Sequence, residues 1–156
     1  MIRPLERADI AEIVALTKAT HDEHRREMPA FFPQVFDEKT YATSLRARTM
    51  RHWFVLRPPT QTLVWDDGTG VKGVIDWDLT SSTCGGTAYF INNISVKSDA
   101  RRRGIGRALL EAVRERARAA GCREIGAAVW NHNAVSAALF ERAGFSPIVT
   151  HHCAKL

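Results

Sequence analysis

The segment of the sequence best suited to chemistry is Arg101-x-x-Gly104-x-Gly106, which opens a run of apolar residues at helical spacing. The first N–H groups of a helix are unpaired and lie at the positive end of its dipole, so they attract anions. Glycine has no Cβ to hold a phosphate away from the backbone, and arginine adds charge-assisted hydrogen bonds. The segment therefore predicts a phosphate-binding loop at a helix N-terminus.

Two common phosphate-binding patterns do not fit this segment. A P-loop requires G-x-x-x-x-G-K-[ST], and a dinucleotide-binding fold requires G-x-G-x-x-G with an acidic residue about 20 positions later. Gly104-x-Gly106 completes neither pattern. Eight arginines lie between Arg101 and Arg123 against two acidic residues, and such a stretch also suits nucleic acid or an acidic membrane. The glycine spacing favours a phosphorylated small molecule.

The length of 156 residues and the hydrophobic content of 45% predict one globular domain, spanning residues 1–156. No apolar run approaches the roughly 18 residues of a membrane helix, so we expect no membrane partner. The three cysteines are far apart and form no C-x-x-C pair, which argues against disulfides and zinc and favours the cytoplasm.

The order of elements predicts a mixed α/β sheet with helices on its faces. Helices are predicted over residues 9–27, 37–48, 105–120 and 135–143. Strands are predicted over residues 1–5, 53–56, 62–65, 71–79, 88–96, 125–130 and 147–155, with a hairpin turn at residues 66–70.

Two motifs in this order resemble the GNAT superfamily of acyl-CoA-dependent N-acyltransferases. The first is [QR]-x-x-G-x-[GA] after a strand that ends in an apolar-x-Val triplet, here Ile94-Ser95-Val96 followed by the Arg101 motif. The second, N-x-x-[AS]-x-x-L-[YF]-x-x-x-G-F, matches residues 133–145. The element order before these motifs is also similar to the family.

The resemblance implies a single-domain α/β fold with a mostly antiparallel sheet, splayed between two central strands and flanked by about four helices. It implies acetyl-CoA as co-substrate and direct transfer of the acetyl group to a primary amine, on a small molecule or a peptide, in a ternary complex; a homodimer is also compatible. The implied cofactor contacts are Ile94, Ser95, Val96, Arg101, Arg102, Arg103, Gly104, Ile105, Gly106, Arg107, Asn133 and Phe140. Asn133 fits equally well as a helix N-cap.

The usual catalytic groups of the family are missing from this sequence. Asn92 stands where relatives often place a glutamate base, Ala128 occupies a second base position, and Phe140 replaces a tyrosine acid. The remaining candidates are Asn92 and Asn93 with relayed water and the backbone amide of Ile94. A base from the first two helices, or from Asp76 and Asp78, is the alternative.

The first two helices also supply candidates for the acceptor site, because this arm usually overhangs the acceptor in similar proteins. His24, Glu27 and Phe32 are the candidates, although an exposed helix face is the competing interpretation. His21 and His24 lack a third ligand at a recognised spacing, so we expect no metal. Two other functions stay open: a non-catalytic acyl-CoA sensor, and a basic nucleic-acid-binding domain, which lacks a recognised motif.

Overall fold

A five-stranded sheet forms the centre of the computed structural model, which describes residues 1–32, 34–49, 60–82 and 85–153. The order follows the chain, and the strands are β1 (Ile2–Pro4), β2 (Thr60–Asp66), β3 (Val71–Ser81), β4 (Thr87–Val96) and β5 (Glu124–Ala127). The first four strands pair antiparallel, whereas β5 is parallel to β4. The expected mixed, mostly antiparallel sheet is confirmed, and the strand predicted over residues 53–56 lies outside the described residues.

Helices cover both faces of the sheet, each through one apolar side. Those in the described residues are α1 (Ile10–Glu27), α2 (Glu38–Thr49), α3 (Ile105–Ala119) and α4 (Ala134–Arg142). Neighbouring residues of a strand point to opposite faces, so Val74 packs with α1 and α2 while Ile75 packs with α3. All four predicted helices are confirmed, with small differences in where they begin and end.

The predicted final strand, residues 147–155, is wrong over the part that the structure describes. Residues 147–153 pair with no strand, and residues 154–155 lie outside the described chain. Ile148 and Val149 are consecutive yet 79% and 80% exposed, so the segment has no buried face to hold it on the sheet. Within the described residues, β5 is therefore the last strand.

A bulge in β4 at Asn92 decides which side chains reach which face. Asp76 of β3 pairs with Asn93, but Trp77 pairs with Ile91, which leaves Asn92 as the extra residue. Before the bulge, Tyr89 and Ile91 pack on the α3 side; after it, Ile94 and Val96 do so. Asn93 and Ser95 consequently face α1 and α2.

A buried carboxylate network fastens α2 to the sheet. Asp76 is 2% exposed and accepts hydrogen bonds from Arg48 Nη1 at 2.9 Å, Thr62 Oγ1 at 2.7 Å and Tyr41 OH at 3.4 Å. Burial raises the pKa of Asp76, the facing Arg48 guanidinium opposes that rise, and burial raises the pKa of Tyr41 to about 12. Asp76 therefore holds α2 on the sheet, and its expected role as an alternative base stays a prediction.

Replacing Arg48 by Met is expected to cost about 3–5 kcal/mol of unfolding free energy near pH 7, because Asp76 would keep a buried charge without a cation. The loss should shrink near pH 5, since a carboxyl with a raised folded-state pKa takes up its proton in the folded state first. Urea denaturation at both pH values measures this, with the exposed Arg46→Met as control. Equal small losses for both variants would contradict a structural role for the Asp76 network.

Candidate active site

A slot opens where β4 and β5 stop pairing. The two strands are in register from Ala88 opposite Glu124 to Ile91 opposite Ala127. β4 then continues to Val96 beside β3, while β5 ends at Ala127. The expected splay between these strands is present in the structure, and among the described residues no strand pairs with this edge of β4 beyond Ile91.

The free edge of β4 carries the backbone groups of Ile94 and Val96. The N–H of Lys97 donates to Lys72 C=O at the start of β3, at 2.9 Å. Backbone groups alternate sides along an antiparallel strand, so those of Ile94 and Val96 face the slot. Val96 C=O accepts from the Arg101 Nε at 3.1 Å, which confirms this direction.

The phosphate-binding loop runs from the end of β4 into α3. A 3-10 turn at Ser98–Ala100 is followed by two residues with left-handed backbone, Arg102 at φ 62° and Gly104 at φ 80°. The first helical bond runs from Ala108 N–H to Gly104 C=O at 3.0 Å. The amides at positions 105–107 precede it and have no carbonyl of the preceding turn to donate to, so they present an anion-binding helix end.

The arginines of the loop divide into two roles. Arg101 donates to Val96 C=O and pairs with Glu23 of α1 at 3.2 Å, so its side chain holds the loop and is engaged away from a phosphate. Arg102, Arg103 and Arg107 are exposed and form no ion pair within the described part of the chain. The loop and the first turn of α3 thus carry three exposed positive charges.

The two glycines of the motif also differ. A Cβ on Gly104 would meet nothing within 4 Å, and its positive φ explains the glycine. A Cβ on Gly106 would lie 3.1 Å from Leu139 Cδ2 of α4. Gly106 therefore permits close packing of α3 on α4, and its expected role in clearing the way for a phosphate stays a prediction. Ile105, another expected contact, buries its side chain in the core and offers only its amide.

Three further expected cofactor contacts have other partners. Ser95 faces α1, where its Oγ lies 3.1 Å from Thr20 Oγ1 and donates to Asn93 Oδ1 at 2.9 Å, so its side chain does not line the slot. Phe140 is 6% exposed and packs edge-on against Phe145 in the core. Asn133 Oδ1 caps α4 by accepting the Ser136 N–H at 3.0 Å, which confirms the capping interpretation.

Asn92 and Asn93 lie at the bulge beside the slot. Asn92 Nδ2 donates to Asp78 Oδ2 at 2.8 Å, across from β3. Asp78 Oδ1 and Asn93 Nδ2 are buried without a hydrogen-bond partner among the described residues. A carboxylate oxygen and an amide N–H thus remain unused at the point where β4 leaves β5.

An aromatic and imidazole cluster connects the end of α1 with the segment after β5. His24 stacks on Phe32 at 5.5 Å between ring centroids, and Phe32 lies 4.8 Å from Trp130. His24 Nδ1 lies 2.9 Å from His132 Nε2. The structure thus joins His24 and Phe32, as expected for an acceptor site, while Glu27 is exposed and outside the cluster. Trp130 and His132 were not predicted.

Two absences bear on the chemistry of the described residues. No group of three His, Cys, Asp or Glu side chains is arranged to hold a metal ion there. No helix in the same ranges combines the length and apolar character needed to cross a membrane.

Comparison with known proteins finds one matching family and a curated relative. The model of the acetyltransferase (GNAT) family matches residues 18–145. A mycothiol acetyltransferase from Beutenbergia cavernae is 34% identical over 107 residues, which is 69% of this chain and 34% of that protein. The chain thus spans about a third of the length of this curated relative.

Solved structures with low sequence identity share the whole fold. A tetramutant of the BH1408 protein from Bacillus halodurans superposes with a TM-score of 0.82 at 17% identity, covering 100% of this chain and 99% of that one. An aminoglycoside N-acetyltransferase in complex with CoA gives 0.77 at 16% identity, covering 100% and 93%. A ribosomal-protein-alanine N-acetyltransferase from Brucella melitensis gives 0.73 at 16% identity, covering 100% and 99%.

Gly106→Val is expected to lower the unfolding free energy by about 1–3 kcal/mol, because the added methyl groups would press on Leu139. In a Leu139→Ala background the same substitution should cost less, since the space it needs is then free. Denaturant titration of the four proteins of this double-mutant cycle measures the difference. Additive effects would show that Gly106 does not serve the packing of α3 on α4.

Proposed function

Because this chain belongs to the acetyltransferase (GNAT) family, we propose that it transfers an acetyl group from acetyl-CoA to a primary amine by direct attack in a ternary complex. One observation carries the proposal: an anion-binding helix end lies directly beside an unpaired strand edge. In a ligand whose diphosphate is joined to an amide-containing arm, the helix end would bind the diphosphate and the adjacent strand edge would pair with the amides. The CoA complex of the aminoglycoside N-acetyltransferase with the same fold supports the choice of ligand.

The loop would hold the diphosphate through the backbone amides at positions 105–107 and through Arg102, Arg103 and Arg107. The pantetheine arm would then extend along β4 and pair with the backbone of Ile94 and with the N–H of Val96, as an added strand does. Arg101 already occupies Val96 C=O, so this carbonyl is not available to the arm. The cofactor would thus be bound largely by backbone groups, with the three arginines adding charge at the diphosphate.

Direct transfer requires a neutral amine, because an ammonium has no lone pair for the thioester carbon. An alkyl ammonium has a pKa near 10 and an α-ammonium near 8, so a proton must leave before attack. The N–H of Ile94 faces the slot and would stabilise the charge that develops on the thioester oxygen. The CoA thiolate, with a pKa near 8.5, can leave without a side-chain acid, which agrees with a buried Phe140.

The proposal names the acceptor only by its chemical class, a primary amine. Solved proteins with the same fold include an aminoglycoside and a ribosomal-protein-alanine N-acetyltransferase, so a small amine and a peptide N-terminus are both represented. Thiol release from acetyl-CoA with kanamycin, spermidine and a peptide starting with alanine tests the function. We expect release above the hydrolysis rate with one of these amines.

A non-catalytic acyl-CoA sensor is the alternative function. The hydrogen bond of the Asn92 side chain to Asp78 favours it. The position of the family's usual base carries an amide that is bonded to Asp78. CoA binding measured by calorimetry, together with no thiol release across the amine panel, would support the sensor. Amine-dependent thiol release would exclude it.

Replacing Arg102 and Arg107 together by Gln should weaken CoA binding by about tenfold or more, because two charge-assisted hydrogen bonds to phosphate are lost. Binding of pantetheine, which lacks the phosphates, should be unchanged. Calorimetry with both ligands gives the comparison, and Arg118→Gln is a control on the same helix, since Arg118 pairs with Glu111. An equal loss for both ligands would show that these arginines do not contact phosphate.

A further inference from the structure

The C-terminal half of α1 crosses from one side of the slot to the other. Thr20 contacts Ser95 on β4, and Glu23 pairs with Arg101 of the loop after β4. One turn beyond Thr20, His24 contacts His132, which follows β5. The pair of imidazoles therefore lies where α1 spans from β4 to the segment that follows β5.

The hydrogen-bond chain through this pair has a fixed direction. His132 Nδ1 lies 2.9 Å from Met28 Sδ, and a thioether sulfur can only accept. His132 Nδ1 therefore carries the proton of the neutral ring, and its Nε2 is an acceptor. His24 Nδ1 must then donate to His132 Nε2, which leaves the lone pair of neutral His24 on Nε2. No described residue donates a hydrogen bond to that atom.

We propose that His24 Nε2 is the proton acceptor for the amine substrate, and that His132 and Met28 are positioning residues that fix its tautomer. The proposal rests on the acetyl transfer proposed above. The aromatic rings of Phe32 and Trp130 wall the same space, and an ammonium is attracted to such faces. The cluster thus combines a surface that attracts a cation with a base that can deprotonate it.

Burial, more than the charges around it, lowers the pKa of His24 and favours its neutral ring near pH 7. Burial and the facing His132 lower the pKa of His24, and His21 on the same helix acts in that direction. Glu23 opposes them, but its carboxylate is bonded to Arg101. The aromatic rings of Phe32 and Trp130, which also contact the His24 ring, carry no charge. His24 is therefore a base whose lone pair is available at neutral pH.

The transfer balances with this single base. One ammonium proton passes to His24 Nε2, giving an imidazolium bonded to His132, and the amine lone pair forms the C–N bond to the thioester carbon. The C–S bond then breaks with its electron pair on sulfur. The nitrogen loses its second proton to the thiolate, giving CoASH and the amide, and His24 releases its proton to solvent.

The tautomer is tested without any acceptor, by nitrogen NMR of the protein labelled in histidine. At about pH 7.5 the His24 Nε2 signal is expected at the position of an unprotonated ring nitrogen and Nδ1 at that of a protonated one. His132→Leu should abolish this preference, and His132→Gln should retain it, because the amide oxygen can accept from Nδ1. A protonated His24 Nε2 in the wild type would overturn the proposal.

The catalytic role is tested by thiol release from acetyl-CoA with the amine that supports turnover in the panel of kanamycin, spermidine and the alanine peptide. His24→Gln is expected to lower kcat about 100-fold or more, with an unchanged calorimetric Kd for CoA. His132→Leu should lower kcat about tenfold, with partial recovery in His132→Gln. The exposed His152→Gln is the matched control and should behave as wild type.

The pH dependence separates a base from a packing residue. The wild-type kcat/KM should fall at acid pH as His24 takes up its proton, with a pKa below the ordinary value of about 6.5. His24→Gln should lose that limb and follow amine deprotonation alone. Full turnover or an unchanged acid limb in His24→Gln would overturn this inference and leave the proposed function intact. No turnover in wild type with any amine would overturn both.

Discussion

The divergence of β4 from β5 beyond the pair of Ile91 and Ala127 is the constraint on which the candidate site depends. Hydrogen bonds hold the strands together up to that pair, and the Asn92 bulge then turns β4 along β3 alone. Close packing beside the paired part leaves little room for adjustment, since a Cβ on Gly126 would lie 3.2 Å from the Phe90 ring. The unpaired edge of β4 is thus a product of the sheet itself.

The two sides of the slot are built in different ways. The proposed cofactor side comes from one continuous stretch, residues 87–119, in which β4, a turn, the arginine loop and α3 follow each other. The acceptor side is assembled from distant segments, with His24 and His132 separated by 108 positions. The core contacts of α1 hold the helix that carries His24 against the sheet.

This difference explains what the sequence could predict. The anion-binding helix end follows from local rules for glycine, arginine and helix termini, so residues 101–107 were identified with their correct element. Local rules could not predict that Gly106 packs against Leu139, because that contact depends on how α3 and α4 lie against each other in the folded protein. They also could not find Trp130 and His132, whose role exists only where α1 meets the segment after β5. The final strand was mispredicted because β-rich composition at Ile148 and Val149 does not supply a partner.

The passage of α1 over both sides of the slot would couple the two proposed binding events. Thr20 contacts β4 and His24 contacts the segment after β5, so a ligand that changed the separation of the strands would act on both contacts. Free-energy coupling between two ligands is reciprocal. If bound cofactor raised the affinity for an acceptor by some factor, the acceptor would raise the affinity for the cofactor by the same factor. The dissociation rate of the cofactor would then depend on whether an acceptor is bound.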